Sequence, residues 1–226
     1  MRFEAIIFDF DGVLLESEFE GNRMLAELLT GLGHPTSVAE AIEHFTGLAG
    51  PDFVSKVEAT IGRQLPPEFH EATRAERDRT LREGIAAVAG AVEFVRALPR
   101  DLPKAVASSS STRWVRTHLD HLGLDGIFEP HIYSGREHVS RGKPAPDLYL
   151  HAAGKLCVDI SRTAIIEDSK VGATGALASG ASVIGLAAGR HCFDGHADML
   201  RSAGVGTIAH SFDEVATLVG LDQVSR

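Results

Sequence analysis

The chain has 226 residues, 44% hydrophobic and 23% charged, which is enough for one large domain or a domain carrying an insertion. Its formal net charge of -9 argues against nucleic acid or an anionic membrane as a partner, so an anionic ligand must be drawn by local positive charge. The two cysteines, Cys157 and Cys192, lie far apart in sequence, so no disulfide framework is expected and a reducing, cytoplasmic setting is.

The first apolar run, Phe3 to Phe8, is nearly continuous and reads as a central strand of a parallel sheet covered on both faces. Asp9 and Asp11 interrupt it, which excludes a secretory signal, and no later apolar stretch is long enough to span a bilayer. A helix follows on Met24, Leu25, Leu28, Leu29 and Leu32, ended by Gly31, Gly33 and Pro35. Ser37 to Glu40 has capping-box spacing and leads into Ile42 and Phe45. Phe53, Val54, Val57 and Ile61 mark a third helix, and Pro66-Pro67 opens a fourth, highly charged one through about Glu83. Residues 16–87 are therefore expected to be all-helical.

From Gly90 the rhythm alternates. A helix is expected over Ala91 to Leu98, a strand at Lys104 to Ala107, and a helix around Val115, Leu119 and Leu122. A short strand at His131 to Tyr133 comes next, then a helix over Leu148 to Leu156 with Pro146 suited to its first turn. Strands at Thr163 to Ile166, Ser182 to Leu186 and Gly206 to Ala209 come after it, with a helix from Val171 to Ser179 between the first two. Strands alternating with helices predict an α/β fold with a doubly wound parallel sheet. The expected organisation is a core of residues 1–15 and 88–226, with a helical cap, 16–87, inserted after the first strand.

The chemistry-bearing residues fall where strands end. The first strand runs into Asp9-Phe10-Asp11-Gly12, the second into Ser108 to Ser111, and a later one into Glu167-Asp168-Ser169. Gly142 to Asp147, carrying Lys143, is a stiff loop between them. Parallel strands put these ends on one edge, so the groups converge on one crevice. Taken singly, each has a plain structural role: a polar helix entry for the serines, a solvated lysine, a carboxylate pair capping a helix. Together, four carboxylates and one lysine are tolerable only with a divalent cation, and oxygen ligands point to Mg²⁺.

Asp9-x-Asp11-Gly12-Val13, the strand-end Ser108, Lys143-Pro144 and Glu167-Asp168-Ser169 resemble, in order and spacing, the four motifs of the haloacid dehalogenase superfamily. The helical insertion resembles its small cap, and the nearest subgroup is the β-phosphoglucomutase-like phosphatases. The resemblance covers essentially the whole chain. It implies a Rossmann-like core and a Mg²⁺-dependent phosphatase acting on a small phosphorylated metabolite. Asp9 would attack phosphorus and become an aspartyl phosphate. Asp11 would protonate the leaving oxygen and then activate water. Ser108 and Lys143 would hold the phosphoryl oxygens, with Ser109 and Gly12 beside them. Asp9, Glu167, Asp168 and the backbone carbonyl of Asp11 would hold Mg²⁺.

Within the family, Asp11 argues against a dehalogenase. A phosphonate-cleaving relative would need a cap lysine, and Lys56, on a predicted helix away from the first motif, is the only one. A sugar-phosphate mutase is the main alternative, but the cap histidine and cap arginine of that group fall on Gly21 and Gly50 here. Cap arginines remain, such as Arg23, Arg74, Arg77 and Arg79, one of which would have to take over. Glu16 stands where relatives often carry Asp, at the cap hinge. A non-catalytic binding protein is not favoured, since all catalytic positions are filled. His191, Cys192 and His196 cluster in the loop after Leu186; they could bind a soft metal, but the ligand set is incomplete and their role is left open. Trp114 reads as core packing with Val115 and Leu119. The oligomeric state is not fixed, with a monomer favoured.

Overall fold

The computed structural model describes residues 1–46, 48 and 50–221. Six strands, β1 (Ala5–Phe8), β2 (Lys104–Ser108), β3 (Ile132–Ser134), β4 (Thr163–Glu167), β5 (Ser182–Leu186) and β6 (Thr207–Ala209), pair in parallel. Their order is β3-β2-β1-β4-β5-β6. Every residue of β1, β2 and β4 is buried, which is why these segments read as unbroken apolar runs rather than alternating ones.

Alternation instead decides which core each side chain joins. Ile6 and Phe8 point to one face, where α5 (Ala91–Ala97), α6 (Thr112–His121) and α10 (Phe212–Val219) pack. Ile7 points to the other, with Ala105 and Ile165, under α7 (Asp147–Leu156), α8 (Lys170–Ala178) and α9 (His196–Ser202). The sheet is thus doubly wound, as the alternation of elements predicts.

The insertion after β1 comprises α1 (Ser17–Gly31), α2 (Val38–Phe45), α3 (Gly50–Ile61) and α4 (Pro67–Glu83). It has a core of its own, built from Leu25, Leu29, Phe45, Val57, Ile61 and Phe69. The Ser37 box forms as its spacing predicts: Ser37 Oγ accepts from Glu40 N, and Glu40 Oε2 accepts from Ser37 N. The two chain crossings into this cap are paired. Glu16 N donates to Ala86 O at 2.9 Å and Val88 N to Leu14 O at 3.1 Å.

Two helices, α9 and α10, go beyond the sequence expectation. α10 starts from Ser211, whose Oγ accepts from Glu214 N, so the capping signal is present but the apolar run after it is short. α9 opens at His196, which is therefore on a helix rather than in the preceding loop as expected. Among the described residues no helix is long and apolar enough to cross a membrane.

Candidate active site

β1 lies between β2 and β4, with Phe8 in register with Val106 on one side and Ile166 on the other. Asp9, Ser108 and Glu167 therefore emerge side by side at the carboxyl edge, where the chain changes direction across the sheet. The loop before α7 brings Lys143 into the same crevice. Its side chain is 4% exposed, and Nζ donates to Asp9 Oδ1 and Glu167 Oε1, both at 2.7 Å. Tyr149 on α7 also donates its hydroxyl to Glu167 Oε1 at 2.7 Å, and Ser169 donates N–H and O–H to Oε2, both at 3.0 Å.

These groups strongly shift one another's proton affinity. Burial pushes the Asp9 carboxyl well above the usual range; Lys143 opposes this, while Glu167, Asp168 and Asp11 add to it. For Lys143, burial alone would lower the ammonium's affinity for its proton, but Asp9 and Glu167 outweigh that and raise it well above the ordinary value. Lys143 is thus a permanent cation that two carboxylates share.

Asp168 completes an acidic triad. Ligand oxygens of Asp9, Glu167 and Asp168 all lie within 4.8 Å of one another. Asp168 Oδ2 accepts from His191 Nε2 at 2.9 Å, while its buried Oδ1 has no hydrogen-bond partner among the described residues. Three buried carboxylates, one with a bare oxygen, against a single lysine fit a hard divalent cation of the Mg²⁺ type. Two glycines leave room for the triad. At Gly12, where φ is +79°, a Cβ would fall 2.0 Å from Asp168 Oδ2. At Gly172 it would fall 1.6 Å from Glu167 Oε1.

Asp11 is held differently. Its Oδ1 accepts from Ser17 Oγ at 2.7 Å and Trp114 Nε1 at 3.0 Å. Its Oδ2 accepts from Ser110 Oγ at 2.7 Å and Ser108 Oγ at 3.2 Å. Ser17 comes from the first turn of the cap and Trp114 from α6, so both layers orient this carboxylate. Sequence reasoning found Asp9, Asp11, Ser108, Lys143, Glu167 and Asp168, and the structure gathers all six. It missed Ser17, Ser110 and Tyr149. Trp114 packs against the core as expected, but its indole N–H also serves Asp11.

The other expected site residues are less directly placed. Ser109 is exposed and lines the cleft. The Gly12 amide donates to Leu15 O at 2.8 Å, so it is engaged within its own loop. Glu16 is buried at the hinge, where its carboxylate accepts from Arg190 N at 3.0 and 3.2 Å.

The crevice opens into a cleft of about 830 Å³ between core and cap, within the usual range for small-molecule sites. The cap contributes Ser17, Glu18, Ile42, Thr46, Leu48 and Arg77 to its walls, and the core adds Arg136 and Lys170. These three cations supply the local positive charge that an acidic chain needs to attract an anion. Burial raises the Glu18 carboxyl from the ordinary 4.5 to about 7, with Asp168 and Asp11 adding to the rise. Gly21 and Gly50 are exposed and a Cβ on either would meet nothing. Lys56 is exposed on α3 and does not line the cleft. Arg23 and Arg79 are engaged with Glu20, Glu27, Glu76 and Glu83. Arg77 faces the cleft, its guanidinium 5.9 Å from the Trp114 ring centre.

The family model of the haloacid dehalogenase-like hydrolases matches residues 3–180. The chain belongs to this family. This hydrolase is similar to the 6-phosphogluconate phosphatase of Escherichia coli (strain K12), 27% identical over 191 residues, 84% of this chain and 85% of that protein. It is also similar to the solved HAD family hydrolase from Deinococcus radiodurans R1 with bound phosphate and sodium. That likeness is 32% identity and a TM-score of 0.83 over 97% of each chain. A solved putative beta-phosphoglucomutase from Thermotoga maritima is 26% identical, with a TM-score of 0.69 over 95% of this chain and 99% of that one.

Proposed function

We propose that this hydrolase is a Mg²⁺-dependent phosphatase for a small phosphorylated metabolite, a sugar phosphate or similar phosphomonoester, working through an aspartyl phosphate on Asp9. The observation that carries the reading is the division of labour between the two aspartates. Asp9 is buried beside a fixed ammonium and two more carboxylates, whereas Asp11 is fixed by four donors. The first environment suits a nucleophile neutralised by cations, the second an oriented proton carrier.

Lys143 grips Oδ1 of Asp9 and holds the carboxylate in place for attack on phosphorus. As the new Asp9–phosphorus bond forms, the bond to the leaving oxygen breaks and Asp11 gives that oxygen a proton. Asp11 then takes a proton from water, which attacks phosphorus and releases phosphate and free Asp9. The four donors orient Asp11; a phosphoryl group competing for the Ser108 and Ser110 hydroxyls would free Oδ2 to face first the leaving oxygen and then the water. Lys143 stays charged throughout and balances the developing anion. Asp9, Glu167, Asp168 and the Asp11 carbonyl would hold Mg²⁺, which would supply the charge neutralisation that keeps Asp9 ionised.

Residues 16–87 act as the cap that closes over the substrate, with Arg77 and Glu18 facing it. The named relative, a 6-phosphogluconate phosphatase, supports a sugar-type substrate. Free thiols at Cys157 and Cys192 support a reducing, cytoplasmic setting.

The test is phosphate release from a panel of sugar phosphates, with Mg²⁺ and with chelator. Mg²⁺-dependent release from a few esters is expected. Arg77 favours one second reading, a mutase in which this arginine takes the role that Gly50 cannot. A hexose 1-phosphate giving isomer without free phosphate would select it. No turnover of any ester would overturn both.

A further inference from the structure

The mechanism leaves three clustered groups unused. Ligand atoms of His191, Cys192 and His196 all lie within 4.8 Å of one another. The two histidines are 1% and 3% exposed, and Cys192 is half-buried. His196 Nε2 stands 2.8 Å from the backbone carbonyl of Asp168. A carbonyl only accepts, so in the neutral ring Nε2 carries the proton. The buried Nδ1 is then a bare lone pair, with no hydrogen-bond partner among the described residues. That is the usual state of a metal-ligating histidine: one nitrogen fixed by an outer acceptor, the other presented bare.

Cys192 Sγ lies 3.8 Å from His191 Nε2, the nitrogen that donates to Asp168 Oδ2. Cys192 and His196 are four residues apart, with the thiol in the loop and the imidazole at the start of α9. His191 and His196 both border the cleft, which gives an ion a way in. Two imidazoles and a thiol leave one position for solvent or for Asp168, and such donors select a zinc-like ion over Mg²⁺. The neighbouring all-oxygen triad has the opposite preference.

We propose that His191, Cys192 and His196 form a binding site for a zinc-class divalent cation, and that filling it lowers activity through Asp168. An ion on His191 Nε2 requires the other tautomer, with the proton moved to the partnerless Nδ1, so the hydrogen bond to Asp168 Oδ2 is lost and that carboxylate is drawn toward the ion. Asp168 also belongs to the acidic triad, so the soft site filled is the hard site weakened, and the coupling is reciprocal. Arg190, next in the chain, is tied to the hinge by Glu16 and lies 3.6 Å over the Phe19 ring of α1, which keeps the loop in place. The effect on activity rests on the phosphatase reading; the binding does not.

The test titrates Cd²⁺ into Mg²⁺-free protein in a Cys157→Ser background, reading the ultraviolet thiolate-to-cadmium charge-transfer band. One equivalent should saturate the band; Cys192→Ser should abolish it, and His196→Gln should weaken binding by at least about tenfold. Zn²⁺ should inhibit Mg²⁺-supported phosphate release, and Cys192→Ser should keep its activity while losing most of that inhibition. Absence of the band in the parent, or its survival in Cys192→Ser, would overturn the site. Equal Zn²⁺ inhibition of parent and Cys192→Ser, with the band behaving as expected, would overturn the coupling.

Discussion

Trp114 donates its indole N–H to Asp11 Oδ1 at 3.0 Å, joining α6 to the second aspartate of the site. Cap and core meet on the same ring, because Arg77 of α4 lies over it. The indole thus touches both the cap and Asp11.

Replacing it tests that link. Trp114→Phe keeps an aromatic ring on α6 but removes the N–H. A hydrogen bond to a charged group contributes about 1.5–3 kcal/mol, much of it here as orientation. We expect kcat to fall about tenfold with KM little changed. An unchanged kcat would show that the other three donors suffice.

Lys143 is a question of charge. Lys143→Met keeps the stem and removes the ammonium, leaving Asp9 and Glu167 buried together without a counter-charge. Breaking a buried pair in this way costs about 3–5 kcal/mol. Thermal melts in chelator should show that loss, and Mg²⁺ should recover part of it by binding the unpaired carboxylates. A melt insensitive to Mg²⁺ would argue that the triad does not hold the ion.

Glu18 gives a pH dependence. Its carboxyl is raised from 4.5 to about 7 in the fold, by burial first and by Asp168 and Asp11 next. The folded protein then holds a proton that the unfolded chain releases, so this group's contribution is fully present below 4.5 and is lost as pH rises through about 7. Glu18→Gln removes that loss. In chelator, the variant should melt above the wild type at about pH 8 and not at about pH 4. Equal differences at both pH values would contradict the assignment.

The sheet edge was legible in the sequence because parallel strands buried on both faces leave continuous apolar runs, and the residues just after each run must sit on one edge. Asp9, Ser108 and Glu167 could be placed together for that reason alone. Lys143 was placed in the same crevice by its stiff loop between the strand ends, and the resemblance added its role, since a lone Gly-Lys-Pro says little by itself. Ser17, Ser110 and Tyr149 were not legible: each is an ordinary residue whose partner lies far off in sequence or across the cap. Trp114 was read correctly as packing, but one ring edge can pack while the other hydrogen-bonds, and no spacing shows that. The convergence of His196 with Cys192 depended on α9, whose short polar first turn gives little helical pattern.

The aspartyl phosphate is the central claim, and acid-quenched mass spectrometry after mixing with a substrate ester tests it most directly. Asp11→Asn should carry a phosphoryl group on the peptide containing Asp9, because its formation survives better than its release, and Asp9→Asn should carry none and turn nothing over. A phosphoryl group on another residue, or near-wild-type turnover by Asp9→Asn, would contradict it.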